Sequence, residues 1–116
     1  MFRSSRRKPG PSSFVSYRRL ALAFYTYILA SRRNGTLYTG STDDLIKRVA
    51  EHRDKLRAGF TSKYGVAMLV WYEIHETRAA AFRRERQIKE WKRVWKLEVI
   101  ERKNPAWADL FPTLLG

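Results

Sequence analysis

The stretch YTYILASRRNGTLYTGSTDDLIKRVAEH, residues 25–52, decides the fold of this chain. Asn34-Gly35 stands between two segments rich in aromatic and β-branched residues. This dipeptide is a strong β-hairpin signal, because a type I′ turn needs positive φ at both central residues. Side chains alternate across a strand, so the hairpin places Tyr27 on its first arm and Tyr38 on its second. We therefore predict two antiparallel strands joined by a type I′ turn, with a tyrosine on each strand.

A helix is predicted directly after the hairpin. Ser41 or Thr42 is the expected N-cap, and Asp43 and Asp44 then fall in the first turn. The helix dipole favours negative charge at that end, so the two acids support a helix start at this point.

The apolar face of this helix also contains polar residues. Leu45, Val49 and Leu56 form a narrow apolar stripe, which in a globular protein packs against the core. His52 falls inside this stripe, and Arg48 lies on its border one turn earlier. We therefore expect two polar side chains of this helix to face inward.

Further elements are predicted downstream. Residues 68–74 read as a third strand by length and composition. Thr77 is the expected N-cap of a second helix, and a third helix follows over residues 94–102. Asn104-Pro105 marks a boundary, with Asn104 as the N-cap of a short final helix and Pro105 at its first position.

Glu85 lies near the centre of the apolar arc of the second helix, together with Ala81, Phe82 and Ile88. A buried carboxylate without a partner is costly, so it must be paired, protonated or bound to a cation. Lys89 stands one turn further along and is a candidate for an i,i+4 ion pair. An ion pair and a cation site both remain compatible with this position.

Composition limits the function classes. The chain has 116 residues, which is enough for one domain with a single modest core. Its 24 basic and 11 acidic residues give a formal charge of +13, so a polyanion such as nucleic acid is the first expected partner. No apolar run reaches the length of about 18 residues that a transmembrane helix needs, and no membrane partner is expected. The absence of cysteine excludes disulfides and thiolate chemistry, and two histidines are too few for a histidine metal cage.

Residues 1–23 differ from the rest of the chain. They hold six basic residues, no acid and the run Pro9-Gly10-Pro11-Ser12-Ser13. This composition predicts a basic, disordered arm that either contacts phosphates or only adds solubility. It is also compatible with an organellar transit peptide in a eukaryote, and otherwise a cytoplasmic location is expected. The predicted boundaries are 1–23 for the arm and 24–112 for the folded domain.

Several short motifs of this sequence resemble those of the GIY-YIG endonuclease superfamily, in particular those of its small single-domain members. These members are related to the incision domain of the bacterial nucleotide-excision-repair endonuclease. The motifs are Tyr25-Thr26-Tyr27, Tyr38-Thr39-Gly40, Lys47-Arg48 with His52, Thr61-Ser62-Lys63-Tyr64 and Arg84-Glu85-x-x-Ile88-Lys89-x-Trp91. The resemblance spans roughly residues 24–111. It departs from the family's name at Tyr25, Thr26 and Thr39, while both tyrosines and the last glycine remain.

The resemblance implies a role for each candidate catalytic residue. Tyr27 would activate the attacking water, with Tyr38 in support. Arg48 would hold the scissile phosphate, and His52 would relay a proton. Glu85 would bind Mg²⁺ or Mn²⁺, which takes its remaining ligands from water and phosphate. A free phenol titrates near pH 10, so nearby positive charge must lower the pKa of the tyrosine that acts as a base.

Each of these residues also has a plain structural interpretation. Tyrosines pack well in strands, Arg48 resembles a solvated helix residue, and His52 is compatible with a satisfied core histidine. Backbone contacts to nucleic acid are expected of five basic residues, which are Lys63, Lys89, Arg83, Arg84 and Arg86. The aromatic residues Trp71, Trp91 and Trp95 fit either base stacking or the core.

We therefore predict an α+β fold with a small three-stranded, mainly antiparallel sheet flanked by helices. The resemblance implies a Mg²⁺-dependent endonuclease that hydrolyses DNA, either without specificity or at particular structures, in DNA repair or processing. Alternatively, a partner protein directs the enzyme to its target DNA. A second hypothesis is a basic nucleic-acid-binding module without turnover, and an RNA- or ribosome-associated protein is a third.

Overall fold

A computed structural model describes residues 23–57 and 65–116, with residues 56 and 57 described by their backbone alone. The elements in chain order are β1 (Phe24–Ala30), β2 (Leu37–Thr42), α1 (Leu45–Arg57), β3 (Met68–His75), α2 (Arg78–Lys89), α3 (Arg93–Lys103) and α4 (Phe111–Leu114). None of the helices in these segments is long and apolar enough to cross a membrane. Lys63 and residues 1–22 of the predicted arm lie outside the described residues, so the domain boundaries stay a prediction.

The three strands form one sheet in the order β2-β1-β3, and both pairings are antiparallel. Helices cover both faces, as the apolar run of β1 predicts. The face towards α2 and α3 contributes to a buried cluster of Ile28, Ala30, Val70, Trp71, Ile88, Val99, Ile100 and Trp107. The face towards α1 and α4 contributes to a second cluster of Tyr27, Leu29, Leu45, Val49 and Leu69, with Leu110, Phe111 and Leu114 packed on it. The predicted α+β fold is confirmed.

The hairpin turn is not the predicted type I′ turn. Asn34 has a φ of 58°, but Gly35 does not lie in the left-handed region. The N–H of Gly35 donates to the carbonyl of Arg32 at 2.9 Å, so the turn is centred on Arg33 and Asn34, one residue earlier than predicted. Asparagine tolerates positive φ. Glycine is needed at position 35 for another reason, because a Cβ there would collide with the Ser31 side chain.

Helix α1 begins later than predicted. β2 continues through Thr42, and a helix cannot start before the strand has ended. Asp44 is therefore the cap, with its carboxylate accepting from the Lys47 N–H at 3.1 Å. At the other end, the Arg53 guanidinium forms an ion pair with Asp109 and ties α1 to the segment that leads into α4.

Helix α2 begins directly after its predicted cap, Thr77, and ends at Lys89. The Thr77 hydroxyl accepts from the Ala80 N–H at 3.0 Å, and Ala81, Glu85 and Ile88 are buried. Phe82 was expected on the same buried arc, but it is 52% exposed. At 100° per residue it lies on the flank of the helix, beyond the area that the sheet covers.

Asn104 does not cap a final helix as predicted. It follows the last residue of α3 and is buried, and its amide donates to the carbonyls of Val70 and Ala108 at 3.0 and 2.9 Å. The final helix begins only at Phe111. A buried amide whose donors and acceptor are all used fixes an irregular loop, so Asn104 holds the connection between α3 and α4 against β3.

Candidate active site

Three aromatic rings meet where α1 packs on the hairpin. Tyr27 and Tyr38 point to the same face of the sheet, because Tyr38 pairs with Leu29, two residues along β1 from Tyr27. The two phenol rings lie 6.2 Å apart. The Tyr38 ring lies 5.1 Å from the imidazole of His52 on α1. The structure thus brings together three of the predicted site residues, with Tyr27 buried and Tyr38 42% exposed.

Gly40 gives the Tyr27 ring the space that it occupies. The two residues are directly paired across β1 and β2, and the phenol lies over the glycine. A Cβ at position 40 would stand 2.6 Å from the Tyr27 Oη and 2.7 Å from its Cζ. Only glycine fits there without displacing the phenol, which is a physical reason for the last residue of the Tyr38-Thr39-Gly40 string.

Gly40→Ala is therefore expected to destabilise the protein by roughly 1–3 kcal/mol, the usual cost of overpacking a filled core. It should also reduce any reaction that depends on the position of the Tyr27 hydroxyl by about 10²-fold. Thermal unfolding and a cleavage assay measure the two effects. In a Tyr27→Leu background the stability penalty should largely disappear, and a penalty of the same size in both backgrounds would contradict the proposed clash.

Arg48 lies on α1 one turn before His52, at the border of the aromatic cluster. Its side chain is 49% exposed, and its Nε lies 3.5 Å from Glu51 Oε1. A half-exposed pair of this kind is weak and easily exchanged for another anion. The guanidinium is therefore available to a phosphate, and its charge reaches both Tyr27 and His52.

Burial raises the pKa of the Tyr27 phenol well above its usual 10, and the neighbouring Tyr38 adds to this rise. The positive charge of Arg48 acts in the opposite direction but does not outweigh burial. The expectation that the neighbouring positive charges lower this pKa is therefore not met by the protein's own side chains. Tyr27 is protonated at neutral pH and is a hydrogen-bonding group there.

The pKa of His52 is shifted downwards, in the opposite direction to that of Tyr27. Burial and the positive charges of Lys55 and Arg48 lower its pKa below the usual 6.5, with Glu51 offsetting part of the effect. The imidazole next to Tyr38 is therefore neutral at neutral pH and can accept a proton.

Glu85 is buried in α2 and both of its oxygens have donors. The Ser41 hydroxyl donates to Oε1 at 2.6 Å, and the Lys89 Nζ lies 2.6 Å from Oε2. Burial raises the pKa of the carboxyl, but the hydrogen bonds from Lys89 and Ser41 outweigh burial, and the pKa lies below its usual 4.5. Glu85 is thus a fixed, ionised group, and the i,i+4 pair with Lys89 that the sequence left open is formed.

Two hydroxyls on one face of the hairpin position this carboxylate. Thr26 and Ser41 are directly paired neighbours in β1 and β2. The buried Thr26 hydroxyl donates to the Ala81 carbonyl at 2.8 Å, and the Ser41 hydroxyl donates to Glu85, one turn further along α2. Glu85 therefore reaches the edge of the sheet from the face opposite Tyr27. Ser41 was predicted only as a possible helix N-cap, and its pairing with Thr26 depends on the observed register of the hairpin.

The predicted arginine cluster of Arg83, Arg84 and Arg86 is divided between two flanks of α2. Arg86 lies over the Phe82 ring at 5.7 Å and lowers the pKa of the nearby catalytic candidate Glu85. Arg84 is on the other flank, where its Nε lies 3.0 Å from Glu73 Oε1 of β3. The three side chains do not form a single surface.

The described residues contain no group of three or more histidine, aspartate or glutamate side chains that could hold a metal ion. A Mg²⁺ ion does not require such a group, because it binds through one or two carboxylates and keeps water and phosphate oxygens as its other ligands. Each oxygen of Glu85 receives one donor and has capacity for a second partner. The ionised carboxylate therefore fits a hydrated divalent cation.

The residues of the candidate active site lie within a region that matches a known protein family. The model of the GIY-YIG catalytic domain matches residues 23–98, which include the tyrosine pair, Arg48, His52 and Glu85. The chain belongs to the GIY-YIG family. A GIY-YIG catalytic domain implies nuclease activity and therefore a nucleic-acid substrate, and nucleases of this family generally depend on a divalent metal.

The curated relatives are small proteins. A UPF0213 protein of Staphylococcus saprophyticus is 36% identical over 76 residues, covering 66% of this chain and 92% of its own. A UPF0213 protein of Clostridium perfringens is 38% identical over 80 residues, covering 69% and 85%. One of Haloquadratum walsbyi is 38% identical over 77 residues, covering 66% and 85%. No solved structure matches the chain. The GIY-YIG domain of this protein is thus of the small type that the sequence resembles.

Proposed function

We propose that this protein is an endonuclease that hydrolyses DNA phosphodiester bonds with Mg²⁺ or Mn²⁺ bound. The observation that carries the proposal is the contact between Tyr27, Tyr38 and His52, with the half-exposed Arg48 beside them. The charge of +13 supports a polyanionic substrate. Basic side chains that contact phosphates carry no base information, so we further propose that it recognises branched or flapped DNA rather than a sequence, in DNA repair or processing.

Each residue of the cluster has a chemical task in this proposal. Arg48 binds the scissile phosphate and stabilises the charge that grows on it in the transition state. Tyr27 holds the attacking water through its hydroxyl. As the water attacks, it gives a proton to the phenol pair, and the neutral imidazole of His52 accepts the proton that leaves this pair. Because Tyr27 is protonated at neutral pH, this transfer has to be concerted with the attack.

Glu85 would hold the divalent cation, which when bound stabilises negative charge on the leaving oxygen as a Lewis acid. The chain's own contribution is a carboxylate that is ionised and fixed before any ligand arrives. Lys89 is half-exposed and is therefore free to turn away from Glu85 towards a phosphate.

The proposal is tested by incubating labelled blunt duplex, single-stranded, flapped and branched DNA with the protein, in Mg²⁺ or in chelator. We expect cleavage in Mg²⁺ alone, with a preference for flapped or branched substrates. The raised pKa of Tyr27 favours one other candidate, a nucleic-acid-binding module without turnover. Binding of all four substrates without cleavage of any would establish that module and overturn the endonuclease.

The pH dependence of cleavage follows from the pKa shifts. The pKa of His52 is lowered from 6.5, so the imidazole becomes protonated, and unable to accept a proton, only as the pH falls below 6.5. Glu85 is still ionised there, because its pKa lies below 4.5. We therefore expect single-turnover rates in Mg²⁺ to fall below pH 6.5 in the wild type. His52→Asn should be slower and lose this acid limb, and an acid limb that the variant retains would contradict the role of His52.

A further inference from the structure

A groove of about 340 Å³ lies between α2 and α3, away from the candidate active site. The described residues that line it are Arg84, Trp91, Trp95, Glu98, Val99 and Arg102. Trp95 and Arg102 lie on one side of α3, two turns apart. The Trp95 indole is 51% exposed, although a tryptophan is the side chain with the most surface to gain from burial. Nothing in the fold of the described residues requires a tryptophan at this position.

The groove has a rigid aromatic wall. The Arg84 guanidinium lies over the Trp91 ring at 5.2 Å from its centroid. Arg84 is itself held by Glu73 at 3.0 Å and by Gln87 at 2.6 Å. Trp91 is partly buried against the core. Trp91 and Arg84 are thus fixed in place before any ligand arrives, which reduces the entropy cost of binding.

The groove continues towards the β3 edge of the sheet. A second hollow of about 360 Å³ shares Arg84 and is lined by His75, Ala80, Arg83 and Gln87 as well. Arg83 is exposed, as is Arg102 at the far end. Across both hollows, three guanidinium groups and one carboxylate, Glu98, line the described surface. The excess of positive over negative side chains in these hollows favours the binding of an anionic ligand.

This surface is separate from the candidate active site. Arg84 and Arg83 project from the flank of α2 that faces β3, whereas Glu85 and Lys89 project towards the hairpin. Arg83 and Arg84 are therefore separated from Glu85 by about the diameter of one helix, on the order of 10 Å. A single nucleic-acid substrate spans that distance easily.

We propose that this groove binds an unpaired strand of the DNA substrate, with a base stacked on Trp95 and the phosphates along Arg102 and Arg83. The inference rests on the proposed function, because it names the part of a flapped or branched substrate that the protein holds away from the scissile bond. An aromatic ring among guanidinium groups is the usual platform for single-stranded nucleic acid, since every base has a face that stacks. A base-paired duplex keeps its bases stacked inside and has no base to offer to Trp95.

The test compares wild type with Trp95→Ala in chelator, using a labelled oligothymidylate, a flapped duplex and a blunt duplex. We expect about a tenfold loss of affinity for the oligothymidylate and the flap, the size of one lost stacking contact, and less than about twofold for the blunt duplex. Trp95→Phe should restore most of the affinity. Val94→Ala is the matched control, because Val94 is the adjacent residue on α3 and is 58% exposed but does not line the groove. It should bind like wild type.

Quenching of tryptophan fluorescence gives a second readout. Stacking of thymine on Trp95 should quench part of the signal in the wild type, and this part should be absent in Trp95→Ala. Equal affinity of wild type and Trp95→Ala for the oligothymidylate would overturn the inference and leave the groove to another partner, such as a protein. That result is independent of cleavage, so a protein that cuts DNA but fails this test retains the proposed function.

Discussion

Glu85→Gln is expected to reduce Mg²⁺-dependent cleavage by on the order of 10³-fold or more, while DNA binding changes little. The substitution keeps the shape of the side chain and an acceptor for the Ser41 hydroxyl, but it removes the negative charge that would hold the cation. A metal ion contributes several kcal/mol to the stabilisation of such a transition state, and each 1.36 kcal/mol is a factor of ten in rate. Single-turnover cleavage in Mg²⁺, with binding measured in chelator, separates the two effects.

Two other variants of the same helix distinguish a metal role from a structural one. Glu90→Gln removes an exposed carboxylate just beyond the last residue of α2 and should cleave at the wild-type rate. Lys89→Met breaks the ion pair with Glu85 but keeps the hydrogen bond from Ser41 to its carboxylate. If Lys89→Met bound DNA like wild type but lost as much activity as Glu85→Gln, with the same fall in unfolding temperature, the ion pair itself would be the essential element and the metal assignment would be wrong.

Tyr27→Phe is expected to reduce cleavage by about 10²- to 10⁴-fold, the range for loss of a group that handles a proton in the transition state. The phenyl ring fills the same space over Gly40, so the fold should be preserved. The variant loses the hydroxyl that would link the attacking water, through the neighbouring Tyr38, to His52. Circular dichroism and thermal unfolding check the fold, and single-turnover rates check the activity.

Tyr25→Phe is the matched control for this result. Tyr25 lies two residues earlier on the same face of β1, and its ring packs edge-on against Tyr72 at 6.3 Å. The same atom is removed from the same strand, so a general effect of losing a phenol hydroxyl would appear in both variants. Cleavage that survives Tyr27→Phe at more than half the wild-type rate would remove Tyr27 from the mechanism.

The sequence predicted the elements of the fold well, because their signals are local. The aromatic and β-branched residues of β1 and the Thr77 cap each depend on a few adjacent residues, and β1 and α2 formed where these signals place them. The details that failed depend on what lies next to the element in space. The turn lies one residue earlier than the dipeptide predicts, and Phe82 is exposed because it lies on the flank of α2, beyond the area that the sheet covers.

The proximity of three aromatic residues of the candidate site was predictable, but their electrostatics were not. Tyr27, Tyr38 and His52 follow from the hairpin and the helix that comes after it, and they do meet. The pKa of Tyr27 depends on how deeply the ring is buried, which no pattern in the chain reveals. The contact of Ser41 with Glu85 was missed because a serine at the end of a strand is an ordinary residue until a carboxylate from a distant helix reaches it.

The bonds from the hairpin to α2 also determine when during folding the site can exist. The Thr26–Ala81 hydrogen bond closes a separation of 55 residues, and the Ser41–Glu85 bond closes one of 44. Contacts this distant in sequence form late, because the entropy of the intervening chain must be lost first. In a chain emerging from the ribosome, Tyr27, Tyr38 and His52 are synthesised before Glu85. If Glu85 holds the metal as proposed, the protein would become able to cleave only when these last contacts of the native state have formed.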